Sequence, residues 1–170
     1  MFRQLFIILF FTLVNQNLIA QDSLTNQVGL HVGLNRMDVF SGICYSMGKE
    51  QLLFFATAET GINRTFIQNR IFPRIGIGSA YYLLSKPKIK LGPLISYNYS
   101  LLKVNNNTEH LHQWNEIYLG SKLEIGTKLR FTNIISGGWM NERYYNQLTN
   151  KKSGVNSMGF YLSLGLAYVW

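Results

Sequence analysis

Over most of its length the chain alternates large apolar residues with small or polar ones. The pattern is cleanest in "SMGFYLSLGLAYVW", where Met158, Phe160, Leu162, Leu164, Leu166, Tyr168 and Trp170 share one parity. Gly159, Tyr161, Ser163, Gly165, Ala167 and Val169 share the other. A period of two is the signature of a strand, whose successive side chains point to opposite faces. "QVGLHVGLN" sets Val28, Leu30, Val32 and Leu34 against Gly29, His31 and Gly33. "RIGIGSAYYLL" sets Ile75, Ile77, Tyr81 and Leu83 against Arg74, Gly76, Gly78, Ala80 and Tyr82. "KLGPLISYNYSLL" and "NEIYLGSKLEI" behave the same way. Ser41–Met47, Leu52–Gly61 and Lys128–Trp139 alternate less cleanly and complete a set of eight predicted strands. No run of eighteen apolar residues follows the first twenty positions, and helical periodicity is scarce.

The predicted connections alternate in length. "GKEQ", "SKPKI" and "IGTK" are short and rich in turn formers. Between them lie longer polar stretches: Asn35–Phe40, Ile62–Arg70, Lys103–Gln113 and Asn141–Gly154. One end of the array is therefore expected to be trimmed and the other to carry four long loops.

Alternation leaves open which face meets water. A soluble barrel would turn its apolar set inward and need a soluble outer set. Here the second set is mostly Gly, Ser, Ala and Asn with a few charges and tyrosines. Glycines facing water would cost chain entropy and add little solubility. The same set suits the inside of a narrow eight-stranded barrel, just wide enough to be filled by side chains. The bulky residues then face lipid. Closure pairs every backbone amide in the hydrocarbon without leaving an edge. The fold class expected is all-β: an eight-stranded antiparallel up-and-down transmembrane β-barrel, preceded by a cleaved signal peptide.

The first twenty residues differ in kind. Arg3 precedes the apolar run Leu5–Val14, and "NQNLIA" ends in Ala20 before Gln21. That is the layout of a secretory signal peptide, and ten apolar residues fall well short of a spanning helix. The domains expected are a signal peptide over 1–20 and a barrel over 21–170. The whole chain carries a formal charge of +8, and removing Arg3 leaves +7. A basic exported chain favours anionic lipid over nucleic acid, which it does not meet. The single Cys44 excludes an intramolecular disulfide.

With these features the mature chain resembles the small eight-stranded outer-membrane barrels of Gram-negative bacteria, the OmpX and OmpA-barrel type. The resemblance rests on the signal ending "LIA" before Gln21, the alternation of short turns with long segments, and a last strand closing on Trp170. It implies outer-membrane localisation, with both ends on the periplasmic side. It also implies that the terminal aromatic, Trp170, is an insertion signal read by the barrel-insertion machinery. Phe is commoner at that place. The class includes adhesion-related proteins, passive stabilisers, lipid-modifying enzymes and small pores, so the fold alone does not set the activity.

Parity places Glu59, Glu116 and Glu124 inside, together with Arg74, Lys122 and Arg130. Three acids against three bases read as a neutral interior network, because unpaired buried charge is costly. Glu59 and Arg74 lie at similar distances from the loop between them, which favours direct pairing. His31 shares the inward face, with Ser163 or Cys44 as candidate neighbours. A hydrolase would need a Ser-His pair oriented by an acid, but His31 points away from lipid, so a hydrogen-bonded structural histidine is expected. "HLH" (His110, Leu111, His112) beside Glu109 offers too few ligands for a zinc site. The basic residues Arg36, Arg64, Arg70, Lys103, Arg143, Lys151 and Lys152 stand near the long segments against Asp38, Glu109 and Glu142. They are candidate contacts for the phosphates of lipopolysaccharide. Tyr144 and Tyr145 leave room for an unidentified surface ligand.

The reading is a non-enzymatic barrel without cofactor or metal, acting as a structural or interaction protein at the cell surface. The alternatives are a lipid-modifying enzyme and a narrow pore.

Overall fold

The computed structural model describes residues 24–64, 71–106, 108–146 and 151–170; for 103–106, 108–110, 146 and 151 it describes the backbone alone. The stretch expected to be a signal peptide, 1–20, lies outside the described residues.

Among the described residues nine strands follow one another: β1 (Thr25–Asn35), β2 (Val39–Lys49), β3 (Leu52–Gly61), β4 (Pro73–Tyr81), β5 (Leu84–Lys86), β6 (Ile89–Asn106), β7 (Thr108–Gly126), β8 (Leu129–Asn146) and β9 (Lys151–Val169). Each pairs antiparallel with its neighbours in the order β4-β3-β2-β1-β9-β8-β7-β6-β5, and the β4–β6 pairing closes the ring. The result is a closed eight-stranded antiparallel barrel. The ninth strand, β5, is a three-residue continuation of β4 along β6. The break falls opposite Pro93, which has no amide hydrogen to donate to the ladder. Three residues on one side, Tyr81 to Leu83, face two on the other, Gly92 and Pro93. This is a bulge, and the extra residue leaves both Leu83 and Leu84 exposed.

The three short turns fall where the sequence placed them. Residues 50–51, 87–88 and 127–128 separate paired strands. Glu50 and Gly126 take positive φ, 37° and 124°, which tight reversal demands. β1 and β9 meet at this end, where Asn26 and Trp170 exchange both backbone bonds, 3.0 and 3.1 Å.

The other end differs from expectation. Of the four predicted long loops, the second falls between the strand ends Gly61 and Pro73, with 65–70 outside the described residues. The first shrinks to Arg36–Asp38. In the third and fourth the described residues are strand: β6 and β7 run on to Asn106 and Thr108, and β8 and β9 to Asn146 and Lys151. Their polar composition marks strands that have left the lipid, where an outward position no longer has to be apolar.

The strand lengths have a geometric consequence. β1–β4 have 9–11 residues. At ~3.3 Å per residue and a tilt of ~40° they rise about 25 Å, the height of one apolar band. β6–β9 have 18 or 19 residues. They rise about 45 Å by the same arithmetic, so this half of the wall projects beyond the band.

Candidate functional site

The outer surface is a belt of apolar side chains. Leu30, Ile77, Leu119, Ile135, Leu162, Leu164 and Leu166 are all exposed, while the alternate residues of the same strands are largely buried. In water such a surface far exceeds the patches soluble monomers tolerate. Its edges are sharp. On the projecting side the last apolar rung is Tyr97–Ile117–Trp139–Met158. The next rung outward is Tyr99–Asn115–Asn141–Asn156. Here Asn141 donates to Asn156 Oδ1 at 2.6 Å and Arg143 Nε to Asn141 Oδ1 at 2.9 Å. Tyr97 reaches up from the apolar rung to bond Asn115 Oδ1 at 2.7 Å. At the turn end, Tyr45 donates to Asn26 and Tyr81 to Gln51, 3.0 and 2.7 Å. Tyr168 and Trp170 stack there with centroids 6.3 Å apart. Rings with an apolar body and a polar tip belong at such interfaces.

The lumen is filled in layers. Towards the projecting end, Phe40, Phe72, Leu102, Trp114 and Met140 form a buried apolar cap. Towards the turn end, Leu53, Phe55, Ala80, Tyr82 and Leu94 form a second cluster. His31, Glu59, Arg74, Glu116, Lys122, Glu124 and Arg130 are all buried inside the barrel.

These charges fall into two groups. In the first, the Arg74 guanidinium bonds Glu59 Oε2 at 2.5 Å and, through Nη2 and Nε, Glu116 Oε2 at 2.7 and 3.1 Å. Glu59 Oε1 also accepts from Tyr161 at 2.7 Å and lies 2.5 Å from His31 Nε2. Asn35 donates to Glu116 at 3.1 Å. Arg74 is packed between rings, 4.5 Å from the Tyr161 centroid and 4.9 Å from that of Phe40. In the second group, Glu124 meets Lys122 at 3.1 Å, Arg130 at 3.0 Å and Gln27 at 3.4 Å. One group thus sets Glu59 and Glu116 around Arg74, with His31 beside Glu59, and the other sets Lys122 and Arg130 around Glu124. A cavity of about 40 Å³ separates them, lined by His31, Lys122, Tyr161 and small residues including Ser46, Thr57 and Ser163. Among the described residues, His31 Nδ1 and Gln27 Oε1 have no protein partner, and the space suffices for two or three waters.

The candidate hydrolytic arrangement does not form around His31. Its Nε2 is held by Glu59 and its Nδ1 is unpartnered, so neither Ser163 nor Cys44 bonds the ring. Cys44 Sγ instead lies 3.5 Å from Ser46 Oγ. His112 lies in β7, not in a loop; its Nδ1 is 3.3 Å from Glu142 and its ring stacks on Trp114. The side chains of Glu109 and His110 lie outside the description. Among the described residues no group of three His, Cys, Asp or Glu is placed to hold a metal.

The basic rim divides. Arg143 is exposed on the outward face of β8, and Lys152 lies 5.7 Å over the Tyr145 ring. Arg36 and Arg64 line a pocket inside the mouth. Arg70 lies outside the described residues, as do the side chains of Lys103 and Lys151. Asp38, counted from the sequence among the rim charges, is 4% exposed. Its carboxylate accepts from the backbone amides of Val39, Asn63 and Arg64 at 2.7, 3.0 and 3.1 Å. Asn35 Oδ1 caps the preceding turn through the amides of Met37 and Asp38. Sequence reasoning missed this clamp, and an Asn-x-x-Asp pair bracketing a strand break was the only local sign of it. It also missed the apolar clusters, although parity already put Ala80, Tyr82 and Leu94 on the inward face.

No family model matches the chain, and no curated protein matches it. Solved structures do. The N-terminal β-barrel domain of OprF from Pseudomonas aeruginosa superposes with a TM-score of 0.64 at 7% identity, covering 86% of this chain and 97% of that one. A major outer membrane protein from Thermus thermophilus superposes with a TM-score of 0.51 at 10% identity, covering 88% and 100%. At such identities the likeness is one of fold, and the fold is that of the outer-membrane β-barrels.

Proposed function

We propose that this transmembrane barrel of the outer-membrane type is a closed, non-enzymatic anchor that holds a polar four-stranded platform outside the bilayer. The observation that carries the reading is the filled lumen. Two apolar clusters flank an ion-paired middle, and the space between is about 40 Å³. Neither a pore nor a site open to acyl chains is favoured by such an interior. The projecting halves of β6–β9 supply the surface. Export through residues 1–20, insertion guided by Trp170, and contact of Arg143 and Lys152 with the phosphates of lipopolysaccharide complete the proposal.

The test is made on the full chain folded into planar bilayers. The expected record is flat, without discrete conductance steps, and the folded protein releases no fatty acid from lipopolysaccharide. Steady single-channel steps abolished by replacing Lys122 would overturn the closed anchor in favour of a pore. Fatty-acid release lost on replacing His31 would overturn it in favour of an enzyme. Lipid contact is read separately. Weaker retention on lipopolysaccharide vesicles is expected for Arg143→Gln with Lys152→Gln, and unchanged retention would remove that part.

A further inference from the structure

The mouth of the barrel contains a pocket of about 170 Å³ lined by Arg36, Met37, Arg64, Trp114, Met140, Glu142, Val155 and Ser157. We propose that it binds a small organic anion: a phosphate or carboxylate carried on a single ring or an equally small apolar group.

The charges favour an anion. Two guanidinium groups face one carboxylate, and that carboxylate already lies 3.3 Å from His112 Nδ1. Arg36 is exposed and, among the described residues, bonds no carboxylate. Arg64 is held in place from two sides. Its amide donates to Asp38 at 3.1 Å, and its guanidinium lies 5.0 Å over Phe72 and 5.7 Å over Trp114. A stacked guanidinium keeps its N–H edge free, which is the arrangement suited to two-point recognition of phosphate or carboxylate. Because Asp38 is itself buried and bonded to three amides, the arginine is positioned before any ligand arrives.

The remaining walls set the rest of the ligand. Met37, Trp114, Met140 and Val155 give the pocket an apolar side. A space of about 150 Å³ accepts one benzene ring, so the pocket's own volume of about 170 Å³ matches a single ring. Trp114, Met140, Glu142, Val155 and Ser157 all lie on the inward parity of β7, β8 and β9. The pocket therefore opens to the outside solution and not to the bilayer. It is independent of the outward pair Arg143 and Lys152, and of whether those touch lipid. The anionic group has two possible carriers, a soluble metabolite or the exposed head of a lipid.

The experiment uses the full chain folded in detergent micelles, with phenyl phosphate as probe. Isothermal titration is paired with the fluorescence of Trp114 in a Trp139→Phe, Trp170→Phe background. Saturable one-site binding is expected, weaker for inorganic phosphate and absent for phenol. Losing one charge-assisted contact should weaken it about tenfold or more, so Arg36→Gln and Arg64→Gln are each expected to do so, and Arg143→Gln to leave it unchanged. Among the described residues Arg36 makes no hydrogen bond or ion pair and is exposed, so Arg36→Gln serves as the variant whose folding is safe. Failure of phenyl phosphate to saturate, equal affinity for inorganic phosphate, or binding indifferent to Arg36→Gln would each overturn the proposal. With binding established, competition by purified lipopolysaccharide assigns the site to a lipid-borne anion, and lack of competition to a soluble one.

Discussion

Arg74 and Glu116 stand on strands that do not pair, β4 and β7, 42 residues apart in sequence, and are joined inside the barrel, past the intervening β6, by two bonds of 2.7 and 3.1 Å. The same guanidinium reaches Glu59 on the adjacent strand β3. One cation therefore ties three strands of one side of the ring together, β3, β4 and β7, with β6 bridged between the last two.

Replacing that cation should be severe. Arg74→Met leaves two buried carboxylates without their partner, a loss of about 3–5 kcal/mol. Urea unfolding in lipid vesicles, followed by tryptophan fluorescence, measures it. Adding Glu59→Gln and Glu116→Gln to the same chain removes the stranded charge and should recover most of the loss. An unfolding midpoint unchanged in Arg74→Met would show that the network does not hold these strands together.

Tyr161 depends on the absence of a side chain at position 33. A Cβ built on Gly33 would lie 2.5 Å from the Tyr161 hydroxyl and 2.6 Å from its ring. Gly33→Ala must displace the ring that covers Arg74 and bonds Glu59. The expected cost is about 1–3 kcal/mol. Tyr161→Ser in the same chain relieves the clash, so the two substitutions together should cost less than their sum.

The lipid belt makes a depth-dependent prediction. Leu164 lies mid-way along the apolar run of β9, whereas Asn156 lies beyond its last apolar rung. Leu164→Arg should destabilise the barrel in lipid by about 2–4 kcal/mol, and Asn156→Arg by at most about 1 kcal/mol. Reversible unfolding from vesicles, compared between the two variants, gives the difference directly.

The position of the membrane surface can be read one rung at a time. With Cys44 replaced by serine, spin labels are placed singly at positions 139 and 141. The label replacing Trp139 should relax with dissolved oxygen, which partitions into lipid. The label replacing Asn141 should relax with a water-soluble nickel chelate. The same response at both positions would contradict a boundary between those rungs.

The strand class and the facing of each side chain were legible in the alternation alone. Period two is local: whichever partner a strand finds, Leu162, Leu164 and Leu166 share one face and Tyr161, Ser163 and Gly165 the other. That sufficed to put His31, Glu59, Arg74, Glu116, Lys122, Glu124 and Arg130 on the inner face, where they are buried. The short turns were legible for a similar reason, since Glu50–Gln51, Pro87–Lys88 and Thr127–Lys128 carry their own turn chemistry.

Strand length, charge partnership and the caps were decided only by the closed barrel. "NNNTEH" has the composition of a loop, yet Asn105 and Glu109 face each other in a ladder. A strand above the lipid is freed from apolar alternation and loses the mark by which it is recognised. A count of inward charges gives three acids and three bases, but the stagger of closure sets Glu59 and Glu116 around Arg74 and sets Lys122 and Arg130 around Glu124. Phe40, Phe72, Trp114 and Met140 come from four separate segments and meet only at the mouth. Such contacts run across the barrel and not along the chain, so local pattern carries no trace of them; register and closure fix them together.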